Sequence, residues 1–105
     1  AALRHYRLTA AAEADLRGII RHTRTQWGDE QVRQYISALE RGIAGLVAGK
    51  AGFKDLGEVF PGLRVARCEH HHVFCLLRED APALVVAILH ERMDLMARLA
   101  DRLKP

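Results

Sequence analysis

A single glycine divides the first half of this chain into two helical stripes, and beyond them the hydrophobic period falls from 3.6 to 2. Before Gly28, the residues Ala12, Leu16, Ile19, Ile20, Thr23 and Trp27 recur at helical spacing and form one apolar stripe. After it, Val32, Tyr35, Ile36, Leu39, Ile43, Leu46 and Val47 repeat the pattern. Thr9 offers a side-chain oxygen to the free amides that open the first helix. Gly28 can take the positive-φ conformation that ends it, and Asp29 stands where a cap for the second helix is expected. So short a connection requires an antiparallel helical hairpin.

Residues 48–62 hold Gly49, Gly52, Gly57, Pro61 and Gly62 with no sustained period, which predicts a loop. Leu63 to Cys68, His72 to Arg78 and Leu84 to His90 then read as strands, joined to a first short strand at His5-Tyr6-Arg7-Leu8. Val73 to Leu77 and Leu84 to Leu89 are almost continuously apolar, as expected of strands central to a sheet and buried on both faces. A last short helix begins at Met93 or Asp94, with Leu95, Met96, Leu99 and Leu103 as its stripe. The expected order is β-α-α-β-β-β-α. That is an α+β domain, a helical hairpin packed on a small antiparallel sheet, with residues 1–105 forming one unit.

Composition removes several function classes. Half of the 105 residues are apolar but only six are Phe, Trp or Tyr, so the core must be aliphatic. No apolar run reaches the roughly 20 residues that span a bilayer, and Ala1-Ala2-Leu3-Arg4-His5 carries no signal-peptide apolar segment. Two cysteines, Cys68 and Cys75, are too few for a disulfide scaffold, so a reducing cytoplasm is expected. The net charge of +3 comes mostly from Arg, whose planar fork suits carboxylate or phosphate. A general nucleic-acid binder would be more lopsided, and the balance suits an acidic protein partner at least as well.

Three groups of residues suggest chemistry. Cys68, His70 and His72 would share one face of an unbroken strand, and Cys with His is zinc chemistry. A solvated hairpin turn accounts for the same histidines, and no fourth ligand is at hand. Cys75 lies in an apolar strand and reads as a small core residue. No nucleophile-elbow, Walker-type or dinucleotide motif occurs, so no cofactor is expected. Finally, Arg64, Arg67, Arg78 and His90 could converge at one end of the sheet. Cations with an imidazole are what metal-independent RNA cleavage needs. Pairing with Glu69, Glu79, Asp80 and Glu91 at soluble strand ends is the plainer reading of these Arg residues.

The order of elements, together with Tyr6-Arg7-Leu8-Thr9, Ala12-Glu13-Ala14-Asp15-Leu16-Arg17-Gly18-Ile19 and Trp27-Gly28-Asp29-Glu30-Gln31 with Tyr35, resembles the ParE/RelE toxin superfamily of bacterial toxin–antitoxin modules. Pro61-Gly62-Leu63-Arg64 and His71-His72-Val73-Phe74 extend the match, and Ile88-Leu89-His90-Glu91-Arg92-Met93-Asp94 resembles the ParE branch. The resemblance spans about residues 6–100. It implies a cytoplasmic bacterial toxin, held by a ParD-like antitoxin in a hetero-oligomeric complex, that inhibits DNA gyrase without being an enzyme or binding DNA alone. RelE-like relatives are instead ribosome-dependent, metal-independent endoribonucleases that cut messenger RNA. A domain that has kept antitoxin binding but lost toxicity is a third possibility. No Tyr, Phe or Trp follows Phe74, which makes an aromatic-assisted ribonuclease site hard to build. Many relatives carry an aromatic and then Arg where this chain has Cys75-Leu76, which bears on potency.

The residues expected to meet a partner are Arg17, Arg21 and Arg24 on the outer side of the first helix, Trp27, Tyr35, and the run Leu89, His90, Arg92, Met93 and Asp94. An antitoxin segment is expected in a groove between hairpin and sheet, its acids meeting the Arg stripe. A solvated helix face is the plainer reading of that stripe.

Overall fold

A computed structural model describes residues 6–50, 52–90 and 94–104. Strand β1 (Tyr6–Leu8) leads into α1 (Ala10–Trp27) and α2 (Asp29–Ala48). Then follow β2 (Phe53–Asp55), β3 (Leu63–Cys68), β4 (His71–Leu76), β5 (Ala83–His90) and α3 (Leu95–Arg102). The five strands form one sheet in the order β1-β5-β4-β3-β2.

Local chemistry explains most boundaries. Thr9 Oγ1 accepts the Ala12 amide at 3.1 Å and starts α1. Gly28, at φ 89°, both ends α1 and serves as the N-cap of α2. Asp29 is therefore the first residue of α2 and not its cap. Its carboxylate accepts instead from Arg24 Nε at 3.0 Å, on the exposed side of the junction. Asp94 caps α3, accepting the Ala97 amide at 3.3 Å.

The sheet carries helices on both faces. On one side Ala12 and Ile19 of α1, with Leu39, Ile43, Leu46 and Val47 of α2, pack on Cys68, Val73, Cys75, Val85 and Ile88. Gly42 allows the close approach, since a Cβ there would lie 2.5 Å from Cys68 Sγ. On the other side α3 buries Leu99 against Leu63, Phe74, Val86, Ala87 and Leu89. The two apolar strands β4 and β5 are central, so both of their faces are covered.

Two expectations about the sheet change. Residues 53–55 are not loop but a short edge strand, with Phe53 opposite Ala66 and Asp55 opposite Arg64. Three residues between glycines are too few to show a period. The sheet is also mixed, because β1 runs parallel to β5, with Tyr6 opposite Ala83 and Leu8 opposite Val85. The helical hairpin is the crossover that carries the chain back for this parallel pairing.

β1 covers β5 only as far as Val85, where the Thr9 amide takes the Val85 carbonyl at 3.0 Å. The pairing of β5 with β4 shifts just there: Cys75 faces Val85 and Phe74 faces Ala87, leaving Val86 as an extra residue. The unpaired edge is closed by side chains. Asp15 Oδ2 accepts the Ile88 amide at 2.9 Å, and Arg102 Nη1 donates to the Val86 carbonyl at 2.9 Å. Asp15 and Arg102 bind each other through two contacts of 2.8 Å, so one ion pair joins α1, β5 and α3. The Asp15 hydrogen bond holds the Arg102 guanidinium above its ordinary value.

Candidate functional site

A groove of about 850 Å³ lies between the hairpin and the end of the sheet where β3 and β5 finish and β4 begins. Ala14, Gly18, Ile19 and Ile88 contribute apolar surface, and Trp27 stands in its lining at the end of α1, 73% exposed. Four imidazoles share this groove: His22 of α1, His70 of the β3–β4 turn, His71 of β4 and His90 of β5. Antiparallel register creates the cluster, since Cys68 lies opposite His71 and His71 opposite His90.

Tyr35 of α2 organises this end. Its hydroxyl accepts the His70 amide at 3.1 Å and lies 2.6 Å from His71 Nδ1. The His71 ring meets Tyr35 edge-on, with centroids 5.7 Å apart, and meets His90 in the same manner at 5.4 Å. With the Tyr35 hydroxyl accepting from the His70 amide, its own proton can go to His71 Nδ1, which places the His71 proton on Nε2. Once His71 is protonated on both nitrogens the bond must reverse. Tyr35 thus fixes the turn from half-buried ground.

The structure redistributes the other expected residues. Arg17, Arg21 and Arg24 are exposed on α1, but none lines the groove, which takes His22 and Thr23 from that helix instead. Leu89 is buried beneath α3 and offers nothing to a partner. Asp94 is engaged as the α3 cap. Arg92 and Met93 lie outside the described residues.

The cationic constellation does not assemble. Arg64 lies in the row Arg64–Cys75–Val85, whereas His90 lies in the row Cys68–His71–His90, four rows or roughly 13 Å along the strands. Arg78 extends past Leu76 at the Arg64 end, and Arg67 lies toward the His90 end. Each Arg has local work. Arg64 donates to the Leu46 carbonyl at the end of α2 and stacks over Phe53 at 4.3 Å. Arg67 donates to the Glu69 carbonyl, and Arg78 closes the β4–β5 turn through the Pro82 carbonyl.

The zinc set fails for a related reason. A turn at Glu69 and His70 interrupts the strand, so alternation restarts and Cys68, His70 and His72 do not share a face. Cys68 packs beneath the hairpin while His70 is exposed in the turn. Among the described residues no group of three His, Cys, Asp or Glu could hold a metal ion.

Both thiols are buried. Burial raises Cys75 to about 11 against an opposing pull from the Arg64 guanidinium, and burial with the nearby Glu69 charge raises Cys68. A maleimide at pH 7.5 is therefore expected to label either cysteine only as fast as the protein opens, and prompt labelling would contradict this packing. Native Cys75 holds its proton more tightly than the unfolded thiol. Its contribution to stability is thus complete below about pH 9 and is lost as the pH rises toward 11, a loss that urea melts across that range would read.

A sequence profile described as the ParE toxin of type II toxin–antitoxin system, parDE, matches residues 6–95. The chain belongs to the ParE toxin family. It is 73% identical over 99 residues to the Escherichia coli protein Toxin ParE, covering 94% of this chain and 96% of that relative. Toxin ParE1 of Mycobacterium tuberculosis is 33% identical over 89 residues, covering 85% and 91%. In the solved structure titled Chromosomal ParDE TA system from P. aeruginosa, one chain shares the fold with a TM-score of 0.65 at 18% identity, covering 84% of this chain and 96% of its own. The two Toxin ParE relatives are matched over nearly their whole lengths, and the solved chain shares the fold.

Sequence reading missed His22 and Asp15 as parts of this region. The signal was present in α1: Asp15, Gly18 or Ile19, and His22 follow one another at helical spacing on one side. Nothing in sequence, however, says which face of a hairpin borders a sheet end.

Proposed function

We propose that this ParE-family chain is a toxin that poisons DNA gyrase when free and is silenced when a segment of a ParD-like antitoxin occupies the groove between hairpin and sheet. The 73% identity to Toxin ParE across nearly the whole chain carries the reading. The groove supports the antitoxin part, because it joins a large exposed aromatic to an apolar floor and a polar rim, the composition of a partner-binding centre. Among the described residues no helix is long and apolar enough to cross a membrane, and a bacterial cytoplasm is where toxin, antitoxin and gyrase would meet. A ribonuclease built on Arg64, Arg67, Arg78 and His90 is disfavoured by their separation along the sheet.

The deciding assay adds purified toxin to DNA gyrase with relaxed plasmid. Supercoiling should fall and cleaved complexes should accumulate, both reversed by antitoxin. Normal supercoiling without cleavage would refute the gyrase target. Codon-positioned cuts in messenger RNA after induction would replace it with the ribonuclease reading, and undisturbed growth on induction would leave only antitoxin binding.

A further inference from the structure

Glycine in a helix interior weakens the fold by about fourfold in the folding equilibrium relative to alanine, since its backbone has more freedom to lose. Three glycines stand inside the described helices: Gly18 in α1, Gly42 and Gly45 in α2. Packing explains Gly42, where a Cβ would lie 2.5 Å from Cys68 Sγ. Gly18 has no such reason. A Cβ there would meet nothing within 4 Å, and the residue lies in mid-helix, apart from the glycines of positive φ.

Gly18 does have a place in the groove. It belongs to the lining, with Asp15 about one turn before it and His22 one turn after, on the same side of α1. A bare Cα at such a point lets another main chain come nearer than any side chain would allow. We infer that Gly18 is where the main chain of the bound antitoxin segment lies directly on α1, so that this glycine sets how deeply the segment seats. The inference rests on the groove being the antitoxin's seat, and it adds the point of closest contact and what limits the fit.

The helix at Gly18 is braced and cannot retreat to make room. Asp15 accepts the Ile88 amide at 2.9 Å and pairs with Arg102 at 2.8 Å, which ties this turn of α1 to β5 and α3. Ile19, the next residue, is buried in the core between hairpin and sheet. An added methyl therefore projects into the groove, and a segment seated on the bare Cα must lift or shift. Lifting also draws it away from Ile88 and Trp27, apolar surfaces of the same lining.

Opposite signs follow for one substitution. In the free chain, alanine or leucine improves α1, because both are strong helix formers and Cβ meets no obstacle. In the complex, the same atoms stand in the partner's place. A groove that is merely roomy at Gly18 would respond the other way, since added apolar surface beneath a bound segment tightens it.

The test compares Gly18→Ala, Gly18→Leu and Gly45→Ala with the parent, in thermal melts of the free chain and in calorimetry with the ParD-like antitoxin encoded beside it. Gly45 is the control: a Cβ there would stand 3.8 Å from Lys50, an ordinary contact, and the residue is outside the groove lining. Both alanine variants should raise the melting temperature by about 2–5 °C. Gly18→Ala should bind the antitoxin at least about fivefold more weakly and Gly18→Leu at least about 100-fold, with Gly45→Ala within about twofold of the parent.

A weakening below about fivefold in Gly18→Ala, or tighter binding, would overturn the inference, as would an equal loss in Gly45→Ala. So would a lower melting temperature for Gly18→Ala, which would mean that the fold itself needs the glycine. Trp27→Ala separates these failures from failure of the groove as the seat. If it weakens binding and Gly18→Ala does not, the segment occupies the groove without resting on Gly18, and only this inference falls. If neither variant weakens binding, the seat is elsewhere and both readings fall.

Discussion

Replacing Asp15 with alanine is expected to destabilise the fold by about 3 kcal/mol, although the residue belongs to no apolar core. The pair it forms with Arg102 is largely buried, with side chains 15% and 21% exposed. The residual exposure argues for the lower end of what breaking a buried pair costs. The loss has two parts. Arg102 would keep its charge with nothing opposite it, and the Ile88 amide would lose its acceptor at the uncovered edge of β5. Arg102→Ala should cost a similar amount, leaving the Val86 carbonyl unpaired and loosening α3. The double variant should cost clearly less than the two singles added, because neither partner is then left as a lone charge. Urea melts of the four proteins give the cycle directly. If Asp15→Ala stays within 1 kcal/mol of the parent, or if the costs simply add, the pair does not close this edge. With the edge open, strand-to-strand association between copies should also rise, visible as concentration-dependent light scattering.

That ion pair also marks how far a sequence can be read. Apolar spacing revealed both long helices, the three longer strands and α3, because each element buries a stripe or alternates against the core. Thr9 and Asp94 could be assigned as caps since a cap acts within three residues of itself. Asp15 instead acts on Ile88, 73 positions away, and on Arg102, 87 positions away, and no local pattern reports that distance. β1 is legible as a strand but not as a parallel neighbour of β5, because pairing direction leaves no mark on three residues. β2 fails for length alone.

The candidate site was legible in the same partial way. His70, His71 and His72 are conspicuous, but their meaning depends on the turn placed between Cys68 and His71. One register step separates a shared strand face, which would suit a metal, from the arrangement found. There His71 joins His90 and His22 at the groove, and His72 pairs across to Arg67 and Leu89. The Arg residues misled through the same degree of freedom. Residue type says that a guanidinium will find an acceptor, and the fold supplies nearby carbonyls of Leu46, Glu69 and Pro82.

Trp27→Ala is expected to weaken antitoxin binding by about 30- to 1,000-fold, the range of a 2–4 kcal/mol anchor, while leaving stability within about 0.5 kcal/mol. The asymmetry follows from the position of the side chain. Trp27 is the last residue of α1 and is 73% exposed, so the folded monomer gains little from it. Covering an indole by a partner removes a large apolar area from water and, among the described residues, does so in the groove lined by Ile19, Tyr35 and Ile88. Indole N–H can also be satisfied at such a rim, which makes Trp an economical anchor compared with an aliphatic side chain. Trp27→Phe keeps most of the area and should recover more than half of the lost binding free energy. The measurement is antitoxin affinity by calorimetry beside a urea melt of each variant, and the fluorescence of the parent should shift to shorter wavelength as the indole is covered. An affinity change below threefold would place the partner elsewhere on the surface. A parallel fall in stability would mean instead that Trp27 holds the helical junction at Gly28, so the two readouts separate an anchor for a partner from a brace for the fold.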